Sequence, residues 1–195
     1  MIKGIIFDLD GTLIQLPINY NRIQKNLKEL FNISNDLTPL IPTIIKLSQN
    51  NPEKIKTSFN LICEEEIIAS KNFKIMDNAM EILNLIKSKN LSLCLVTMQC
   101  QNALEKIIDD LQISNLFDSI ISRDISIDRQ KQIELSLQKI NLMPSEVLVI
   151  GDRIHDVESG KKIGCMTILK INEIEKTPSF DCKKIHNLVE IKSFL

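Results

Sequence analysis

The stretch Gly4-Ile5-Ile6-Phe7-Asp8-Leu9-Asp10-Gly11-Thr12 decides how the rest of the chain is read. Gly4 to Phe7 is a continuous apolar run that ends abruptly in charge and then glycine, the pattern of a short buried strand. Two aspartates follow at its carboxyl end, one residue apart. In extended backbone the intervening Leu9 puts Asp8 and Asp10 on the same side. Gly11 lets the chain leave the strand without a Cβ clash, and the Thr12 hydroxyl can hold the turn. In open parallel α/β sheets, ligands bind in the crevice beyond the strand ends. A carboxylate nucleophile needs a rigid mount and a partner that handles protons, and this spacing supplies both.

Outward from that strand the pattern is first helical, then alternating. Ile23, Leu27, Leu30 and Phe31 recur at helix spacing from about Asn19. Pro39, Pro42 and Pro52 read as punctuation between helices, and Pro52-Glu53-Lys54 as a first helical turn continuing through Phe59, Ile62, Ile67 and Ile68. No strand pattern occurs between Gln15 and Lys74, and Glu64 to Glu66 read as a solvated helix face. From Asp77, an expected N-cap, helices and strands alternate: a helix through Ala79, Ile82, Leu83 and Ile86, then a strand Leu91 to Val96 ending in Thr97. A helix Gln101 to Leu111, a short strand Ser119 to Ser122 and a helix Asp128 to Ile140 follow. Strand Val147 to Ile150 ends in Gly151-Asp152, helix His155 to Ile163 stops at Gly164, strand Met166 to Ile171 follows, and a helix Leu188 to Leu195 closes the chain. Strands alternating with helices imply a Rossmann-like parallel sheet with right-handed crossovers. The expected architecture is an α/β core from residues 1–14 and 75–195, with a small helical insertion at 15–74.

Composition narrows the class. A chain of 195 residues with 44% hydrophobic content can bury one good core with a small appendage. The net charge of -1 and dispersed lysines give no footprint for nucleic acid or a membrane surface. No apolar run approaches the ~20 residues that span a bilayer, and the amino terminus enters the first strand directly, so a cytoplasmic protein is expected. The five cysteines form no C-x-x-C pair. Cys63, in a helical pattern, and Cys94, in a strand, read as inert buried thiols; Cys100 lies just beyond Thr97 with no activating histidine evident.

Asp8-Leu9-Asp10-Gly11-Thr12 resembles the first motif of the haloacid dehalogenase-like hydrolase superfamily, and most of the chain can be laid against that family's pattern. The helical insertion directly after the first strand is similar to the small cap of its phosphoglycolate phosphatase-type members. The resemblance implies that Asp8 attacks phosphorus and that Asp10 acts as acid and then base. Thr97 corresponds to the second motif, a hydroxyl that binds the phosphoryl group, although Met98 and Gln99 stand where the family commonly has Asn first. Substrate contacts are therefore expected from Leu9, Gly11, Thr12, Thr97 and Met98. The third motif is usually Lys-Pro at a helix start, which this chain lacks. Arg129 fits best when counted forward from Ser122-Arg123-Asp124, with Lys131 and then Arg123 as alternatives. Gly151-Asp152-Arg153-Ile154-His155-Asp156 is similar to the fourth motif, G-D-x-x-x-D. Asp152 would join Asp8 and Asp10 in an acidic cluster that needs a cation, and hard oxygen ligands favour Mg²⁺. Asp156, one helical turn on, would touch the metal through water or orient the third-motif base. His155 occupies a variable position of the motif.

The function implied is Mg²⁺-dependent hydrolysis of a small-molecule phosphate monoester through an aspartyl-phosphate, by a monomer or weak homodimer. The alternatives are a sugar phosphomutase or haloacid dehalogenase of the same superfamily, and a non-catalytic phospho-acceptor or binding scaffold. Residues 15–74 contain no histidine of the kind that mutase caps usually supply.

Overall fold

A computed structural model describes residues 1–172 and 181–195. Its centre is β1 (Gly4–Asp8), every residue of which is buried, so the apolar run is explained by helices covering both faces. Around it lie β4 (Ser92–Val96), β5 (Ser119–Ile121), β6 (Val147–Gly151), β7 (Met166–Lys170) and β8 (Lys183–Ile185). The six form one sheet in the order β5-β4-β1-β6-β7-β8, and all pairings are parallel. Strand order reverses at β1, whose neighbours are β4 on one side and β6 on the other. The crevice beyond the carboxyl ends of these three strands is the switch point at which ligands bind in open sheets.

The connecting helices are α4 (Ala79–Ser88), α5 (Gln101–Leu111), α6 (Arg129–Ile140) and α7 (Ile154–Ile163). One face of the sheet packs Ile5, Phe7, Leu93, Leu95 and Leu148 against α4 and α5. The other packs Ile6, Cys94, Val96 and Val149 against Ile133 and Leu137 of α6. Alternation of Ile5/Phe7 with Ile6 between the two faces is the two-residue period of a strand.

Between β1 and α4 stand α1 (Tyr20–Phe31), α2 (Leu40–Ser48) and α3 (Pro52–Ala69), which enclose their own apolar cluster of Ile23, Leu27, Leu37, Ile44 and Ile62. Asn19 and Asn51 cap α1 and α3 through their side-chain oxygens. Two short strands at the ends of this segment, β2 (Ile14–Gln15) and β3 (Lys74–Ile75), pair antiparallel. They bring the entrance and exit of the helical segment together.

The structure departs from the sequence reading at several points. Pro42 does not separate helices; it lies in the first turn of α2, where a missing N–H costs nothing. Asn78, not Asp77, precedes α4, in a left-handed conformation and without a side-chain cap bond. The closing segment Leu188–Phe194 is a 3₁₀ helix rather than an α-helix. β2, β3 and β8 are two or three residues long, too short for a periodic signal. Glu65 and Glu66 are each 3% exposed, so they are not a solvated face. Cys63 is not an inert buried thiol: a disulfide joins it, in α3, to Cys100, the residue preceding α5.

Candidate active site

The carboxyl ends of β1, β4 and β6 and the start of α6 converge on one acidic cluster. Asp8, the last residue of β1, is buried. The Arg129 guanidinium, in the first turn of α6, donates from Nη2 to Asp8 Oδ1 at 2.6 Å. Its Nε lies 2.9 Å from Asp156 Oδ1, close enough for an ion pair but not aligned for a straight hydrogen bond. Its Nη1 donates to Gln132 Oε1 at 2.9 Å. One guanidinium thus ties the first-strand acid to the fourth-motif helix, using the fork geometry that a lysine lacks. Asp128 prepares this by capping α6 through the amides of Gln130 and Lys131.

Three acids crowd the same space. The oxygens of Asp8, Asp152 and Asp156 lie within 4.8 Å of one another. Burial pushes the Asp8 carboxyl well above the usual carboxylate range; Arg129 opposes this, while Asp156, Asp152 and Asp10 reinforce it. Burial and Asp156 push Asp152 up to about 7, against the pull of Arg153. Asp152 Oδ1 is buried with no hydrogen-bond partner among the described residues. A partnerless carboxylate oxygen among further carboxylates is the donor set of a hard divalent cation, so these residues fit one. Gly151 and Gly11 permit the crowding: a Cβ at Gly151 would run into Asp156, and one at Gly11, whose φ is +85°, would run into Asp152.

Asp10 is partly exposed. Its Oδ1 accepts from the Leu16 amide at 2.8 Å, and burial raises its pKa against that bond and Arg153. Thr97, directly after β4, is 1% exposed; its hydroxyl oxygen accepts from the Gln99 amide at 3.1 Å. The Thr97 carbonyl accepts from Gln132 Nε2 at 2.9 Å, so Gln132 couples the β4 loop to Arg129. Leu9 and Thr12 are fully buried, and the Thr12 hydroxyl has no hydrogen-bond partner among the described residues. The Met98 carbonyl accepts from Arg123 Nη1 at 2.6 Å.

The structure therefore brings Asp8, Asp10, Thr97, Arg129, Asp152 and Asp156 together. Lys131 is left out: it is exposed and 3.5 Å from Glu134, because two residues along a helix turn the side chain away. Arg123 is occupied elsewhere, in a two-pronged pair with buried Glu66 of α3 at 2.6 and 2.9 Å. His155 is exposed. The sequence reading did not find Gln132, Glu66 or Lys170. Lys170, at the end of β7, is 5% exposed, and its Nζ lies 3.2 Å from the Gly11 carbonyl. A lysine after an apolar strand looks like any strand end; only its place beside β1–β6 in the sheet distinguishes it. Arg153, exposed, is close enough to Tyr20 at the start of α1 to interact with it electrostatically, so the helical segment reaches the rim of the site.

A parallel sheet with a strand-end acid at its switch point, and a second acid two residues on, places Asp8 and Asp10 in the ligand-binding crevice of an open α/β fold. The chain belongs to the haloacid dehalogenase-like hydrolases: that family's model matches residues 5–170. Membership of that family makes it a hydrolase. The chain is 26% identical to a phosphoglycolate phosphatase of Aquifex aeolicus, covering 97% of this chain and 96% of that one. It is likewise 26% identical to the pyrophosphatase PpaX of Oceanobacillus iheyensis, covering 85% and 82%. Among solved structures, a HAD-superfamily hydrolase from Ehrlichia chaffeensis superposes with a TM-score of 0.66 at 26% identity, covering 100% and 97%. A HAD phosphatase from Thermococcus onnurineus, at 17% identity and covering 99% and 97%, shares the fold with a TM-score of 0.72.

Proposed function

We propose that this protein hydrolyses a small phosphate monoester by passing the phosphoryl group through Asp8, with Mg²⁺ as cofactor. The observation that carries this is the environment of Asp8: a buried strand-end carboxylate with one oxygen held by Arg129 at 2.6 Å and two further acids, Asp152 and Asp156, beside it. With Oδ1 so occupied, Oδ2 is the oxygen left to attack phosphorus. Arg129 then serves both states, holding Asp8 ionised before attack and neutralising phosphoryl oxygens as charge spreads over them.

Asp10 protonates the leaving oxygen and later takes a proton from the water that cleaves the acyl phosphate. Burial raises its pKa, the direction that makes a carboxyl a better proton acceptor in the second half of such a pair of roles. The Thr97 hydroxyl and the backbone after Asp8, with Leu9, Gly11 and Thr12, line the phosphoryl position, and Met98 borders it. Asp8, Asp152 and the Asp10 carbonyl would hold Mg²⁺, with Asp156 acting through Arg129. The metal supplies charge neutralisation that lets one anion approach another.

Residues 15–74 act as a cap in this reading. The supporting features are their separate apolar cluster, the β2–β3 ribbon at their base and the reach of Tyr20 to Arg153. A closing cap excludes water and favours small soluble substrates over folded phosphoproteins or nucleic acid. Phosphoglycolate and pyrophosphate come first in a metabolite panel because relatives are named for them. The cytoplasm is the proposed compartment and a monomer or weak homodimer the proposed state. No helix among the described residues is long and apolar enough to cross a membrane. Phosphate release from para-nitrophenyl phosphate and that panel, with and without Mg²⁺, tests the proposal. Turnover that EDTA abolishes supports it; full activity in EDTA, or none on any phosphate ester, overturns it.

A further inference from the structure

Three cations are buried among the described residues: Arg123, Arg129 and Lys170. Arg123 is taken by Glu66, and Arg129 by Asp8 and Asp156. Among the described residues no carboxylate lies within ion-pair distance of Lys170, and Lys170 has no part in the proposed reaction. Burying a long charged side chain is costly unless its head is well used. Here the ammonium donates to the Gly11 carbonyl at 3.2 Å and to Asn172 Oδ1 at 2.6 Å, while Asn172 Nδ2 donates to the same Gly11 carbonyl at 3.3 Å.

That carbonyl belongs to the turn on which the site depends. Gly11 lies one residue past Asp10, and the space a Cβ would fill there is taken by the Asp152 carboxylate. Its N–H donates to Ile14 O at 2.7 Å, and Asp10 and Ile14 form an isolated bridge. A shift of the Gly11 peptide would therefore move Asp10 on one side and open the gap to Asp152 on the other. We propose that Lys170, seconded by Asn172, is a positioning residue: from the end of β7 it clamps the Gly11 carbonyl and so fixes the spacing between Asp10 and Asp152. This rests on the proposal that those acids hold the metal and the proton.

A lysine acting only as a fixed charge makes the opposite prediction for metal binding. Its positive charge would repel Mg²⁺, so Lys170→Met would bind the ion more tightly. Loss of a clamp weakens binding instead, on the ten- to hundredfold scale typical when residues supporting metal ligands are removed. The experiment is an Mg²⁺ titration of wild type, Lys170→Met, Lys170→Gln and Asn172→Ala, read by the metal-induced rise in Tm. Lys170→Met should need at least tenfold more Mg²⁺ for half the rise. Lys170→Gln, which keeps an N–H donor without the charge, should need less than threefold more. A smaller increase in Lys170→Met, tighter binding, or equal weakening in both variants overturns the proposal. If Lys170→Met does not fold, Asn172→Ala decides: threefold or greater weakening supports the clamp, and a wild-type titration overturns it. In turnover, Lys170→Met should lose ten- to hundredfold in kcat with KM changed less than threefold. A wild type that releases no phosphate would defeat the phosphatase proposal alone, since the Tm titration still reads the clamp.

Discussion

A carboxylate that attacks phosphorus must be ionised, yet Asp8 is buried among acids that favour its protonated form. Arg129 is the side chain seen to oppose this, and it does so while pinned to Asp156. Arg129→Ala should therefore lower kcat by roughly 10²–10³, the scale for removing one strong electrostatic stabiliser. It should also destabilise the metal-free protein by about 3–5 kcal/mol, because two buried carboxylates lose their partner. Lys131→Ala, at an exposed site, should leave kcat and Tm at wild-type values. Steady-state kinetics and urea unfolding of the two variants check this. Equal losses in both would contradict the geometry. Asp8→Asn should abolish turnover with the fold intact; a tenth of wild-type activity in a clean preparation would remove Asp8 from the role.

At the scale of elements, the junction between α3 and the core holds more than the sequence revealed. Glu66 accepts two bonds from Arg123 and one from the Cys100 amide at 2.9 Å, next to the Cys63–Cys100 disulfide, and Arg123 lies over the Phe59 ring. Disulfides are uncommon where thiol reductants prevail, so the pair and the disulfide are best separated experimentally. Glu66→Ala should cost about 3–5 kcal/mol in reducing buffer, by leaving Arg123 buried and unpaired. An effect under about 1 kcal/mol in urea titrations would mean that Arg123 finds water there. None of this was legible in the chain, since Glu66 is one of three consecutive glutamates and only packing against β5 and the β4 loop buries it. By contrast β1, β4, β6 and their helices were legible almost to the residue. Long apolar runs closed by Thr97 or Gly151-Asp152 admit few other folds. Arg129 was legible only as one of three basic candidates. Helix phase excludes Lys131, and a glutamate from another part of the chain occupies Arg123.

Across the whole molecule, the acidic cluster links protons, metal and stability. Asp152 titrates at about 7 in the folded protein, above the ~3.9 of an unfolded aspartate. Asp8 and Asp10 are shifted the same way. Between those values the folded state binds more protons than the unfolded one, so stability falls as pH rises. In EDTA the Tm should drop from pH 5 to pH 8, by roughly 2–4 °C per kcal/mol of linkage for a chain of this size. Mg²⁺ must displace those protons, so its stabilisation should be small at pH 5 and large at pH 8. Asp152→Asn should flatten both trends. An EDTA profile that rises from pH 5 to pH 8, with Mg²⁺ equally effective throughout, would contradict the electrostatics of the site.

The central claim is that Asp8 carries the phosphoryl group, and a crystal structure of the wild-type protein with Mg²⁺ and beryllium fluoride tests it most directly. The account predicts a beryllium trifluoride group bonded to the Asp8 oxygen that Arg129 leaves open. A cation should lie between Asp8 and Asp152, and Arg129 within hydrogen-bond reach of a fluoride. An adduct on any other residue, or a phosphatase-active protein whose Asp8 stays unmodified in saturating beryllium fluoride, would contradict it.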